Sequence, residues 1–310
     1  RADASMLAIA EGLDNGTIPA QFMCLVGDQI YADATAGLTD SLSPIERIRS
    51  ATLRAFNAAG FRKVTSRLPT YMTLDDHEIE NEWSLDRLEF RPGHEGKQAK
   101  AERLRDAAMG YFKAYQWMHS PCNGRAPNGF DYSFDAIGSR FYALDTRSQR
   151  RRFDRPQVCD PAQLTALNEW LASGKGVDSD ALHVITMGSV LAPGLHAFDT
   201  GGSVPHPAAD NWQLAPEQRR QVLEAVAACS ARHVVLLSGD YHCSAVSVLR
   251  FYRANGELFK TAYAIVVPPL YAPFPAINAH PKDVMEKETV KLGEGCMVEI
   301  ETEAWYGQGY

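Results

Sequence analysis

The stretch Phe22-Met23-Cys24-Leu25-Val26-Gly27-Asp28-Gln29-Ile30-Tyr31 joins an unbroken apolar run to a turn that carries a carboxylate and, three residues on, a phenol. Such a run, ended by glycine, predicts a buried strand that delivers an acid into a loop. The pattern returns twice. Tyr71-Met72-Thr73-Leu74 ends in Asp75-Asp76, and the strand predicted at residues 233–237 stops at Ser238-Gly239-Asp240-Tyr241-His242. Three predicted strands thus each present Asp or His at a turn, and sites in α/β sheets gather at such strand ends.

Helical and hairpin signals fill the intervals. Ser43 before Pro44 predicts a capped helix running towards Ala58. Leu104, Ala108, Tyr111, Phe112 and Tyr115 recur at helical spacing within residues 98–118. Further helices are predicted at residues 161–172 and 216–228. Strands are predicted at 183–187 and 297–301, and a hairpin around Gly138 within 130–145. Residues 188–210, rich in Gly, Pro and His, read as a long surface loop, and Asn255-Gly256 marks a second hairpin between residues 244–252 and 258–267. Early strands alternate with helices and later ones pair as hairpins, which predicts an α/β domain with mixed sheets and helices outside.

Composition narrows the function class. The 310 residues carry no visible linker or repeat, so residues 1–310 are expected to form one domain. Lys and Arg number 31 against 38 Asp and Glu, a net charge of −7, which gives no nucleic-acid-binding signature and argues against an anionic membrane as partner. None of the six cysteines forms a C-x-x-C pair, and Cys24 and Cys229 read as small buried hydrophobes. No apolar stretch approaches the roughly 18 residues of a membrane span. The first residue is Arg1 rather than Met. A soluble protein is therefore expected, exported if an upstream leader has been removed and cytoplasmic otherwise.

The acid-bearing turns carry the chemistry. Asp28 and Tyr31 offer a carboxylate and a hard, anionic phenolate oxygen that can converge on one ion; the alternative is a helix-capping Asp beside a packed tyrosine. Thr73-Leu74-Asp75-Asp76-His77-Glu78-Ile79-Glu80-Asn81 holds five ionisable residues directly after an apolar strand. That cluster is costly unless a cation neutralises it or unless it is a solvated helix N-terminus. Within it Asp76 can bind metal and His77 can protonate a leaving oxygen. Asp240 and His242, two apart, combine carboxylate and imidazole as zinc, iron or manganese sites do. Two carboxylate-bearing turns and a late histidine suggest a two-metal hydrolase acting at phosphorus.

In this order the motifs Gly27-Asp28…Tyr31, Asp75-Asp76-His77-Glu78 and Gly239-Asp240…His242 resemble the PhoD-like alkaline phosphatases, relatives of the purple acid phosphatases within the calcineurin-like metallophosphoesterase superfamily. Leu144-Asp145-Thr146-Arg147, Asp210-Asn211-Trp212 leading into Glu217-Gln218-Arg219, and residues 268–273 extend the resemblance over residues 22–301. It implies a four-layer sandwich of two mixed β-sheets flanked by helices. Asp28 would be the bridging carboxylate, Tyr31 the phenolate ligand, Asp76 a ligand of the second metal, and Asp240 and His242 the late ligands. His77 would act on the leaving group, and Asn81 and Arg147 would be substrate or outer-shell contacts. The metals implied are iron with calcium or another divalent ion, zinc and manganese being further candidates. The substrates implied are small-molecule or lipid phosphomonoesters or phosphodiesters.

Two departures accompany the resemblance. Family members place another strand, with a further metal ligand, before the first motif, whereas residues 1–20 read as helix and loop, so that strand is expected upstream of residue 1. The superfamily also has a histidine after its middle strand, where this chain reads Met187-Gly188-Ser189-Val190. His196 and His206 in the following loop are not expected to replace it. The rival readings are a phospholipid or phosphotriester hydrolase on the same site, and a non-catalytic binding domain of the same fold.

Overall fold

The computed structural model describes residues 2–33, 43–87, 95–121, 129–153, 155–173, 180–195, 209–270, 281–284 and 287–306. In chain order the elements are α1 (Ala2–Asp14), β1 (Met23–Leu25), α2 (Pro44–Phe56), α3 (Ala59–Thr65), β2 (Thr70–Met72), α4 (Glu95–Tyr115), β3 (Tyr132–Ala136), β4 (Ser139–Ala143), α5 (Pro161–Ala172), β5 (Leu182–Met187), α6 (Pro216–Ala228), β6 (His233–Ser238), β7 (Ser244–Tyr252), β8 (Leu258–Val266), β9 (Lys287–Lys291) and β10 (Met297–Trp305).

Eight strands form one mixed sheet in the order β3-β4-β5-β6-β8-β7-β10-β9. β4, β5, β6 and β8 run parallel at its centre, and hairpins or antiparallel neighbours flank them. The second sheet is a two-stranded parallel pair, β1 with β2, in register Met23↔Thr70 to Leu25↔Met72. Side-chain alternation assigns the layers. Tyr142 of β4 packs with Leu167 and Trp170 of α5 and Val222 of α6 in the main core. Its neighbour Phe141 points the other way, stacking on Phe134 at 4.7 Å and meeting Phe22 at 5.2 Å beside the small sheet. Met23, Leu25 and Met72 then face Met6 of α1 and Phe61 and Val64 of α3. Helix, large sheet, small sheet and helix therefore stack in that order, the layering the resemblance implies.

Local chemistry explains most element ends. Ser43 caps α2 through a reciprocal box with Glu46, and Asp160 caps α5 ahead of Pro161. The helix expected to reach Ala58 stops at Phe56 and restarts as α3. Ala58 is extended, and the freed Gly60 N–H donates to Asp3 Oδ1 at 2.7 Å, which docks α1 on α3. β9 escaped the sequence reading because Lys287, Glu288 and Lys291 mask its alternation; it is the charged edge of the sheet.

Two further expectations change. Residues 188–194, read as the start of a surface loop, are buried. Their polar groups are satisfied internally: Arg150 Nη1 donates to Ser189 Oγ at 3.0 Å and Arg219 Nε to Leu191 O at 2.8 Å. Cys24 and Cys229, read as buried, are only partly so. No helix among the described residues is long and apolar enough to cross a membrane.

Candidate metal centre

The three acid-bearing turns converge. β1 and β2 run parallel, so their C-terminal ends deliver residues 27–33 and 73–82 side by side. β6, central in the large sheet, brings Gly239 against Val26, where an added Cβ would lie 3.2 Å from the Val26 carbonyl oxygen. Tyr31 Oη lies 3.0 Å from His242 Nε2 across 211 positions of sequence. One ligand-capable atom from each of Asp28, Asp76 and His77 falls within 4.8 Å of the others, and the His77 N–H donates to Asp28 Oδ1 at 3.3 Å. Asp28, Tyr31, Asp240 and His242 line one groove.

Backbone conformation marks the same residues. Asp28 (φ 53°), Asp240 (φ 66°) and His242 (φ 53°) all occupy the left-handed region. For residues with a Cβ this costs on the order of 1 kcal/mol or more each, and it persists where the surroundings impose it. Gly27, at φ 108°, allows the close approach: a Cβ there would meet Asp75 Cβ at 2.6 Å.

Asp75, Asp76 and Glu78 are 1–2% exposed, and the segment forms turns rather than a helix, so the solvated helix-terminus alternative does not hold. Burial first, then the charges of Asp76, Asp75, Glu78 and Asp240, drive the Asp28 carboxyl well above its usual range. Burial, then Asp210, Asp75 and Asp76, do the same to Asp240. Burial, then Asp28 and Asp76, push up the Tyr31 phenol, so a phenolate here requires a nearby cation. Asp76 Oδ1 is buried with no hydrogen-bond partner among the described residues, and Arg147 Nη2 approaches it only to 3.8 Å. Carboxylates, a phenol and an imidazole are the hard oxygen and nitrogen donors that iron, manganese, zinc or calcium accept, and the orphaned oxygen fits a bound cation.

His77 is oriented from two sides. Its Nδ1 lies 2.7 Å from Asp33 Oδ1, whose Oδ2 accepts the Asn81 N–H at 2.6 Å, and the Tyr31 ring packs 4.3 Å away. Burial disfavours the imidazolium, but the Asp33 hydrogen bond and the charges of Asp76, Asp33 and Asp75 outweigh it and lift the group to about 9. With Nδ1 engaged, Nε2 is the ring atom left for proton transfer.

Arg147, expected as a substrate or outer-shell contact, is fully buried. Its Nε donates to Asp75 Oδ1 at 2.7 Å, and Nη1 and Nη2 grip Asp210 at 2.8 and 3.0 Å. Asn81 is exposed beside His77. In the stretch after β5, where a histidine is missing, Gly188 packs on Asp75: a Cβ there would lie 2.7 Å from the Asp75 Cγ. His196 and His206 lie outside the described residues.

Glu78 and Asp210 stood inside quoted motifs without a role, and Asp33 lies two residues past the first motif. Their signal was charge adjacent to a metal motif, but each has a partner far along the chain, His77 for Asp33, Gln29 for Glu78 and Arg147 for Asp210, 44 to 63 positions away, which no local pattern reveals.

The family model for PhoD-like phosphatases matches residues 9–294. The chain belongs to the PhoD-like phosphatase family. Alkaline phosphatase D of Bacillus subtilis (strain 168) is 27% identical over 221 residues, which cover 65% of this chain and 36% of that protein. Among solved structures, that of PhoD aligns with 81% of this PhoD-like chain and 52% of its own at TM-score 0.59 and 19% identity, a likeness in fold. A purple acid phosphatase from yellow lupin (Lupinus luteus) seeds aligns with 88% of this chain and 41% of its own, at TM-score 0.48 and 13% identity. This chain thus spans 36% and 52% of the lengths of the two PhoD relatives.

Proposed function

We propose that this PhoD-like chain is a metal-dependent phosphoester hydrolase, a phosphomonoesterase or phosphodiesterase. Its cations are held by Asp28, Tyr31, Asp76, Asp240 and His242. The observation that carries this reading is the set of buried, mutually repelling carboxylates ending in the orphaned Asp76 oxygen. The cations these residues would hold are iron with calcium or another divalent ion, and Asp28 would supply a carboxylate shared between them.

Cations held there would supply Lewis-acid charge to the phosphoryl oxygens and lower the pKa of a water. The chain's own residues do the rest. His77 hands the proton on its Nε2 to the departing alcohol oxygen, while Asp33 holds Nδ1 and stabilises the charged ring. Asn81, exposed on the next turn, contacts the substrate. Arg147 touches no substrate; it fixes Asp75 and, through Asp210, the chain after residue 208.

A second reading, hydrolysis of a phospholipid or phosphotriester on the same site, draws on the adjoining groove. It has a volume of about 420 Å³, and Met6, Ile9, Leu25, Phe61, Val267 and Leu270 line it next to the expected ligands. The same groove follows the edge of β1 that has no strand partner among the described residues, where the further strand implied by the resemblance would pair.

Purified protein supplied with iron and calcium, or with manganese, is expected to cleave an aryl phosphate or a bis-aryl phosphate. His77→Ala is expected to lower kcat about a hundredfold or more while metal content stays unchanged. Protein that takes up no metal and cleaves neither ester would end the reading.

A further inference from the structure

One carboxylate that binds nothing in the groove laces the two metal-bearing turns together. Glu78 is 1% exposed. Its Oε1 accepts the N–H of Gln29 at 2.8 Å and that of Ile30 at 3.4 Å. Its Oε2 accepts the N–H of Asp75 at 3.0 Å and that of Asp28 at 3.3 Å. Gln116, just beyond α4, adds its Nε2 to Oε1 at 3.3 Å. Three consecutive amides of the turn after β1 and one amide of the turn after β2 therefore point at a single anion.

Consecutive amides converge in this way where the backbone alternates hand, as in anion-holding nests. Asp28, at φ 53°, is left-handed, and Gln29, which follows it between the three amides, is not among the positive-φ residues. The left-handed turn at Asp28 is thus anchored by Glu78, and that turn decides where the Asp28 side chain projects. Glu78 is not in the group of ligand-capable atoms formed by Asp28, Asp76 and His77. Both of its oxygens are engaged by backbone amides.

We infer that Glu78 is a positioning residue that fixes the Asp28 carboxylate relative to Asp76 before any cation arrives. The inference rests on the proposed metal-binding role of Asp28. An isosteric amide tests it, because Glu78→Gln must turn an NH₂ group towards amides that need an acceptor.

Two readouts separate this inference from the functional reading. In chelated protein, hydrogen exchange at residues 27–31 and 73–79 is expected to quicken in Glu78→Gln and to stay unchanged in the large sheet. In Mn(II) titrations by calorimetry, Glu78→Gln is expected to bind about ten- to a hundredfold more weakly than wild type, the range typical of groups that orient a ligand. Gln116→Met, which removes one donor and leaves the amides, is expected to shift affinity the same way by a few fold. Val64→Ala, in the α1/α3 core, lowers the unfolding midpoint and is expected to bind Mn(II) as wild type does.

Wild-type Mn(II) affinity in folded Glu78→Gln overturns the inference. If that variant does not fold, wild-type affinity in Gln116→Met overturns it instead. Wild-type protein that ignores Mn(II) sinks the metal reading, while hydrogen exchange still judges whether Glu78 holds the turns.

Discussion

Two buried groups of charges lie side by side in this protein and are built on opposite principles. Around Arg147 every acid has a base: Asp75 and Asp210 take its guanidinium, and Arg152 bridges Asp210 and Glu82 at 3.0 Å each. Burial alone would raise the Asp210 carboxyl, yet Arg147 and Arg150 hold it well below the usual range. A few ångströms away, Asp28 and Asp240 are driven the other way by burial and by each other's neighbours. In the first group the arginines answer the acids from within the chain, although Asp75 Oδ2 has no hydrogen-bond partner among the described residues. The second makes sense only with positive charge added from outside.

The sharpest way to break this comparison is to remove one acid from each group. Asp76→Ala is expected to cut phosphoester hydrolysis on the order of a thousandfold, the scale of losing a principal charge-stabilising group. In chelated protein the same change is expected to leave the unfolding midpoint unchanged or slightly higher, because it removes repulsion. Arg147→Ala is expected to do the reverse. It leaves Asp75 buried without its partner and Asp210 with only Arg150 and Arg152, a loss of about 3–5 kcal/mol in denaturant unfolding. If Asp76→Ala destabilises the chelated protein as much as Arg147→Ala does, the distinction between the groups is wrong.

A smaller effect sharpens the comparison through pH. Burial above all lifts Asp75 to about 6 and Glu78 to about 7. A carboxyl with a raised folded value binds its proton more tightly folded than unfolded. Between about pH 4 and 7 the folded chain therefore holds more protons, and its stability falls as pH rises. His77, lifted to about 9, contributes stability that is present below its unfolded value and lost as pH rises through 9, in the same direction. Asp210 acts in the opposite sense, but only below about pH 4. Chelated protein is thus expected to melt about 3 °C or more lower at pH 8 than at pH 5.5. Saturating Mn(II) is expected to abolish the difference, and a melting point that climbs with pH in the chelated protein would contradict the charge assignment.

Much of this was legible in the chain itself. The helices read at residues 161–172 and about 216–228 are α5 and α6, and Asn255-Gly256 placed the β7–β8 hairpin, because these signals act within a few residues. Apolar runs ending in acid marked all three turns of the candidate site. The break after Phe56, the charged edge strand β9 and the buried course of residues 188–194 were not legible. The first and third depend on partners far along the chain, Asp3 for the one and Arg150 and Arg219 for the other, whereas β9 pairs with the adjacent β10 and was hidden by its own charged residues.

The sequence by itself determined which residues bring charge to which strand ends, since strand, turn and acid are contiguous and their order is fixed covalently. Only the tertiary structure decided what each charge does. It gave Arg147 and Asp75 to one another, left Asp76 with an unmatched oxygen, set Asp33 behind His77 and closed Glu78 over the amides of the opposite turn. The reason is physical: the cost of a buried charge depends on the distance and sign of its neighbours, and folding sets both.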